Sequence, residues 1–287
     1  MNTSVQTKKE EELMAFTAEK LAHYTEFTKK IRRHIVKMTH KAGSGHPGGS
    51  LSATELLTVL FFEHMNVDPK NPRWEERDCF FLSKGHCTPV YYSVLAEKGF
   101  FPVEELMTFR NVDGRLHGHP CSEHCPGVDI SSGSLGQGLS VANGVAMAAK
   151  LDGKSRRSYV MIGDGELQEG QVWEAAMTTP HYGLDNVCAI IDWNKIQLDD
   201  YVENVKGLAD LAGKWKSFGW HVIEIDGHNL NEVDDAFREA KATKGKPTAI
   251  LAHTIKGKGI SFMENTHKWH GLAPNDEELD IALKELV

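Results

Sequence analysis

The sequence is short of the features that would mark several function classes. Net charge is −8 over 287 residues, and no basic stretch is dense enough to follow a nucleic-acid backbone, which excludes that partner. No apolar run reaches the roughly 18 residues that a membrane span needs. The polar segment from Met1 to Glu12 lacks the apolar core of a signal peptide. Five cysteines, an odd number without framework spacing, fit a reducing compartment. Repeats, low-complexity linkers and composition breaks are also missing, so residues 1–287 read as a single domain. A chain of this length buries roughly three quarters of its unfolded surface without a staple. The expectation is a soluble, cytoplasmic enzyme with no membrane or nucleic-acid partner. Its 15 histidines hint at proton handling.

What is present is an alternation of helical and strand patterns. Residues 8–41 predict an amphipathic helix with Leu13, Phe16, Leu21, Phe27, Ile31, Ile35 and Met38 on its apolar side. It should stop at a non-helical loop from Gly43 to Gly49. Ser52 and Glu55 have capping-box spacing and predict a helix to about Met65. Strands are expected at 78–82, 159–162, 187–191, 221–225 and 248–253, with helices following His86 and Pro102, after Gly138, and over 169–181, 208–217, 230–243 and 275–286. This order predicts an α/β fold, a mostly parallel sheet flanked by helices.

Two strand ends carry the sharpest chemistry. Asp164 in Gly163-Asp164-Gly165 and Asn194 in Asp192-Trp193-Asn194-Lys195-Ile196 each follow an apolar run, one strand–helix–strand unit apart. That places two hard oxygen ligands at the carboxyl edge of a parallel sheet, where α/β proteins bind ligands. One carboxylate and one amide suit Mg²⁺ completed by phosphate and water, and the flanking glycines permit close approach of a diphosphate. The bland alternative is a strand-end turn.

Gly133-Ser134-Leu135-Gly136-Gln137-Gly138 opens a helix whose first amides suit an anion, although its glycine order is not that of a dinucleotide fold. Glycine-adjacent His46, His86, His119 and His270 suggest convergence on a polyhydroxylated or phosphorylated ligand, whereas any one alone reads as structural. The run from His117 to Cys125 offers five soft ligands. Its Cys121-x₃-Cys125 spacing lacks a distant second pair, which argues against zinc without closing the question.

Taken together, these motifs resemble the thiamine-diphosphate-dependent transketolases. The resemblance runs from Ile31 to Pro274 and rests on Ser44-Gly45-His46-Pro47-Gly48, Ser83-Lys84-Gly85-His86, Gly118-His119-Pro120, Leu135-Gly136-Gln137-Gly138, Gly163-Asp164-Gly165, Gln168-Glu169-Gly170, Asn194-Lys195-Ile196, Asp226-Gly227-His228 and Trp269-His270-Gly271, in family order. It implies a thiamine-diphosphate-binding fold in which Asp164, Asn194 and the carbonyl of Ile196 hold Mg²⁺ on the diphosphate, with Gly136 and Gly165 nearby. His86 and His270 would lie near the diphosphate and the substrate path, while His46 and His119 contact donor hydroxyls and move protons. Glu169 and Glu174 would join a carboxylate network between active sites, unless they simply form an exposed helix face.

A complete transketolase is more than twice this long, and the part expected beyond Trp269-His270-Gly271 carries the activating glutamate and most of the substrate-phosphate grip. The resemblance therefore implies the N-terminal subunit of a split enzyme, acting on sugar phosphates with a C-terminal partner subunit in a two-plus-two heterotetramer. Alternatives are the same chemistry on a sulfonated or branched ketose, and a catalytically silent scaffold of the same fold. Deoxyxylulose-phosphate synthase fits less well, being normally one long chain with a differently arranged site.

Overall fold

The computed structural model describes residues 16–287. Helix α1 (Ala18–Ala42) starts where the Thr17 hydroxyl accepts the Lys20 amide at 3.2 Å and ends at a left-handed Gly43. Ile31, Ile35 and Met38 are buried on its inner side, while Phe16, Leu21 and Phe27 pack at the margin. The expected positions 8–15, including Leu13, lie outside the described residues.

The Gly43–Gly49 segment is not wholly a loop. Helix α2 (Pro47–Ser52) begins inside it, with Pro47 in the first turn, where a missing N–H costs nothing. Its glycines are helical because packing overrides propensity. A Cβ on Gly48 would stand 2.8 Å from the Trp269 carbonyl, and one on Gly49 would stand 2.8 Å from the Cys87 sulfur. The expected Ser52–Glu55 capping box is absent as well. Ser52 Oγ donates to Asp192 Oδ2 at 2.6 Å, and Glu55 pairs with Arg32 at 2.7 Å and His228 at 2.9 Å. Helix α3 (Thr54–Val59) continues into a π-turn over Leu60–His64.

Strand β1 (Cys79–Leu82) leads to α4 (Thr88–Lys98) and, after a 3₁₀ segment and a long loop, to α5 (Gly138–Leu151). Then come β2 (Ser158–Gly163), α6 (Gly170–His181), β3 (Val187–Trp193), α7 (Val202–Lys206) and α8 (Leu211–Ser217). The Asp210 cap delays α8 beyond the expected 208. Next are β4 (His221–Asp226), α9 (Leu230–Ala242), β5 (Thr248–His253) and α10 (Asp276–Glu285). A complete capping box between Asn275 and Glu278 opens α10.

The five strands are all parallel, in the order β1-β2-β3-β5-β4. Alternation along the strands feeds two cores. Tyr159, Met161, Ile190 and Ile250 point into one with α1, α3, α4 and α9; Val160, Ile162, Ile191 and Leu251 point into the other with α5, α6 and α8. With both faces covered, ligand access falls to the strand ends, and the turns carrying Asp164 and Asn194 lie at the carboxyl edge. Among the described residues, no helix is long and apolar enough to cross a membrane.

Candidate active site

At that edge, Asp164 follows β2 and Asn194 follows β3, and the pairing Gly163–Asp192 brings the two turns side by side. Both side chains are buried, as is Ile196. Asp164 accepts the Gly165 amide at 2.7 Å and the Lys195 amide, and Asn194 Oδ1 accepts the Ile196 amide at 3.1 Å. Lys195 adopts a left-handed backbone, φ 68°, which turns its amide onto Asp164; such strain in a non-glycine residue gathers at functional sites. Each acceptor oxygen keeps a lone pair free, which leaves a carboxylate, a carboxamide and a carbonyl available to a hard cation. Burial, and then neighbouring Asp192, push the Asp164 carboxyl up to about 7, so the pocket has room for added positive charge.

Lys256, which no sequence motif singled out, donates 2.8 Å bonds to the Ile196 carbonyl and to His270 Nδ1. Burial lowers this ammonium to about 8 despite the pull of Asp164. A bare dication would upset the balance of Lys84 and Lys256 against Asp164 and Asp192. A dication arriving with a diphosphate nearly preserves it, so the donor set fits a metal–diphosphate.

The four histidines do converge. Ring centroids lie 5.1 Å apart for His46 and His86, 5.6 Å for His46 and His270, 5.0 Å for His86 and His270, and 6.3 Å for His46 and His119. Burial keeps His46, His86 and His270 neutral, while His119 stands exposed at the rim of the cluster. Burial lowers His46 to about 4, helped by Arg110, His119 and Lys256, and His270 to about 3, helped by Lys256, His46 and Lys84. His86 sits well below its usual value through burial and then His270, and His119 is lowered by burial and Arg110. Arg110 Nη2 approaches His46 Nδ1 at 3.4 Å and Lys256 bonds His270 Nδ1. Arginine and charged lysine only donate, so both rings carry their proton on Nε2. Neutral N–H donors of this kind suit sugar oxygens, and an anion beside Lys256 would raise their basicity.

The family model "Transketolase, thiamine diphosphate binding domain" matches residues 24–286. The chain belongs to the transketolase family. It is 45% identical over 256 residues to the 6-deoxy-6-sulfo-D-fructose transketolase subunit SqwG of Clostridium sp., covering 89% of this chain and 93% of that one. It is 42% identical over 259 residues to one of the subunits of the apulose-4-phosphate transketolase of Phocaeicola vulgatus, covering 90% and 92%. Human transketolase is 41% identical over 254 residues, but there the match spans 88% of this chain and only 40% of the human protein. A solved transketolase from Pichia stipitis superposes with a TM-score of 0.87 at 32% identity, covering 91% of this chain and 40% of that one.

Beneath this transketolase-type edge lies a scaffold that sequence patterns did not reveal. Asp192, fully buried, accepts from Lys84, Ser52 and Thr254, and from Asn194 Nδ2 at 3.2 Å. Lys84, also buried, further donates to the Gly49 carbonyl at 2.9 Å. Glu166 joins three segments, taking the Gly136 amide at 2.8 Å, the Gly163 amide at 2.9 Å and the Ser83 hydroxyl. The available signals were the charged Asp192 at the end of an apolar run and Ser83-Lys84 within the Ser83-Lys84-Gly85-His86 motif, neither of which names its partners.

The amides of Gly136, Gly138 and Gly165 already serve Glu166, Ser83 at 3.1 Å and Asp164. The expected anion grip by the amides that open α5 is therefore partly used up by Glu166 and Ser83. Gly136 instead contributes conformation: its φ is +82°, and a Cβ there would stand 2.9 Å from Glu169 Cβ. Glu169 and Glu174 do not enter the histidine cluster; both are exposed, at the start of α6 and along it.

Proposed function

We propose that this chain is the N-terminal, diphosphate-binding subunit of a two-subunit transketolase, which moves a two-carbon ketol unit from a ketose phosphate to an aldose acceptor. The observation that carries the reading is the Asp164–Asn194–Ile196 donor set at the carboxyl edge of the sheet, joined through Lys256 to the cluster of four histidines. It stands in a chain that matches separate transketolase subunits over nearly their whole length. Thiamine diphosphate, when bound, supplies the carbon nucleophile and electron sink for C–C cleavage.

Asp164, Asn194 and the Ile196 carbonyl would hold Mg²⁺, with Gly165 and Gly136 allowing close approach. His86, His270 and Lys256 would face the diphosphate. His46 and His119 would hold donor hydroxyls, and His46, His119 and His270 would pass protons. Exposed Glu169 and Glu174 suit a carboxylate network completed by another chain, within a two-plus-two assembly with the C-terminal subunit. The setting would be cytoplasmic carbohydrate metabolism of the pentose-phosphate type. A modified ketose is a second reading, favoured by similarity to subunits named for a sulfofructose and for apulose phosphate. Retention of every donor and all four histidines speaks against a silent scaffold.

Paired variants in the assembled complex test the assignments. Asp164→Ala removes a direct charged ligand and should weaken Mg²⁺-dependent cofactor binding by more than about 100-fold, beyond what loss of an outer partner costs. Calorimetry that gives wild-type affinity would sink the metal assignment. His119→Ala should instead lower turnover with cofactor affinity close to wild type. Loss of both properties in a folded protein would reassign His119 to structure.

A further inference from the structure

We propose that His117, Cys121 and His124 form a zinc site on the outer side of the loop that carries His119. One ligand atom from each lies within 4.8 Å of the other two. Cys121 Sγ is 3.0 Å from His124 Nδ1, and the His117 and His124 rings are 4.8 Å apart. Tetrahedral zinc with sulfur at about 2.3 Å and nitrogen at about 2.0 Å needs ligand atoms roughly 3.3–3.6 Å from one another. Small rotations of these partly exposed side chains close that difference.

The backbone is already set for the purpose. The Cys121 carbonyl accepts the His124 amide at 3.3 Å and the Cys125 amide at 3.0 Å, which folds the turn, and Ser132 N to the Pro120 carbonyl at 3.2 Å closes its base. One thiol and two imidazoles form a soft, mixed set that favours zinc over magnesium or calcium. Cys125 takes no part: it is buried and directs its sulfur to the Pro126 carbonyl at 3.8 Å, in line with the sequence argument against a Cys121–Cys125 pair. The spacing that matters is His117-x₃-Cys121-x₂-His124. Three protein ligands leave a fourth position for water, and His124 is exposed enough to admit it.

The ion would tether one side of a loop whose other side is held by Thr88 Oγ to the Gly118 carbonyl at 3.0 Å and Tyr92 OH to the His119 carbonyl at 3.2 Å. His119 sits between the tethers and faces His46, so zinc would stiffen it from outside the thiamine site.

The test uses the full-length chain, stripped with a chelator and titrated with Zn²⁺, and separately with Co²⁺ as a coloured probe. Wild type should take one tight equivalent of zinc and show thiolate-to-cobalt charge-transfer absorption. Cys121→Ser should abolish that band and loosen the site by more than about 100-fold, with circular dichroism unchanged. His124→Ala should weaken it too, whereas Asp164→Ala should retain the band, which separates this site from the proposed Mg²⁺ site. A wild type without the band, or zinc uptake unaffected by Cys121→Ser and His124→Ala, would overturn the proposal.

Discussion

Asp192→Ala should destabilise the protein by about 3–5 kcal/mol, the cost of breaking a buried ion pair from one side. Asp192 is fully buried and Lys84 nearly so. Burial alone would raise the Asp192 carboxyl, but Lys84 and the Ser52 and Thr254 hydroxyls outweigh it and hold it below the usual range. In the variant, the Lys84 ammonium keeps the Gly49 carbonyl but loses its ionic partner, while Ser52, Thr254 and Asn194 each lose an acceptor. The damage would reach function because Asn194 is among the released groups. Urea unfolding monitored by circular dichroism measures the cost. Adding Lys84→Met should recover part of it, since removing both partners also removes the stranded charge. A loss below about 1 kcal/mol for Asp192→Ala, or no recovery in the double variant, would show that the pair is not what joins these elements.

The second large effect concerns activity. By itself the chain should bind Mg²⁺–thiamine diphosphate weakly and transfer no ketol unit, because under the split reading one wall of the site and the activating carboxylate belong to the partner. Exposed Val141 on α5 and Met177 on α6, along the face that carries Glu174, offer apolar contact for another chain. Such a face also predisposes the isolated chain to self-associate. Assaying each subunit separately, then the mixture, with a ketose phosphate donor and an aldose acceptor, gives the answer. The mixture should turn over and melt higher, by an amount equivalent to about 2.7 kcal/mol when the partner is present at 100 times its dissociation constant. Robust turnover by this chain alone would end the half-site argument. Exchanging the donor for a sulfonated or branched ketose in the same assay separates the two substrate readings.

Most of the architecture was legible because buried parallel strands announce themselves. The runs at Tyr159–Ile162 and Val187–Ile191 became adjacent strands, and their ends placed Asp164 beside Asn194. The histidines were legible as a set, through their glycine neighbours, before any distance joined them. What escaped notice depends on partners distant in sequence. Lys84 and Asp192 are 108 positions apart, and nothing around either one names the other. Ser52 and Glu55 matched a local capping rule, but Asp192 and the Arg32–His228 pair claimed their side chains. Helix α2 formed through glycines because Trp269 and Cys87 leave no room for side chains there. Glu169 and Glu174 lie on the surface, a position that suits either expectation for them, an interface network or an exposed helix face.

The two closed cores, one on each face of the sheet, carry a kinetic consequence. Each is sealed by the chain's own helices, so under the split reading a partner would meet a body that has already folded rather than one that must finish folding on contact. Assembly would then be rigid docking, a second-order encounter with little backbone rearrangement. Specific activity would therefore fall on dilution while the circular dichroism of this chain stays constant. Under the split reading, a cell would set flux by matching the supply of two polypeptides, since an excess of this one would stay folded and idle.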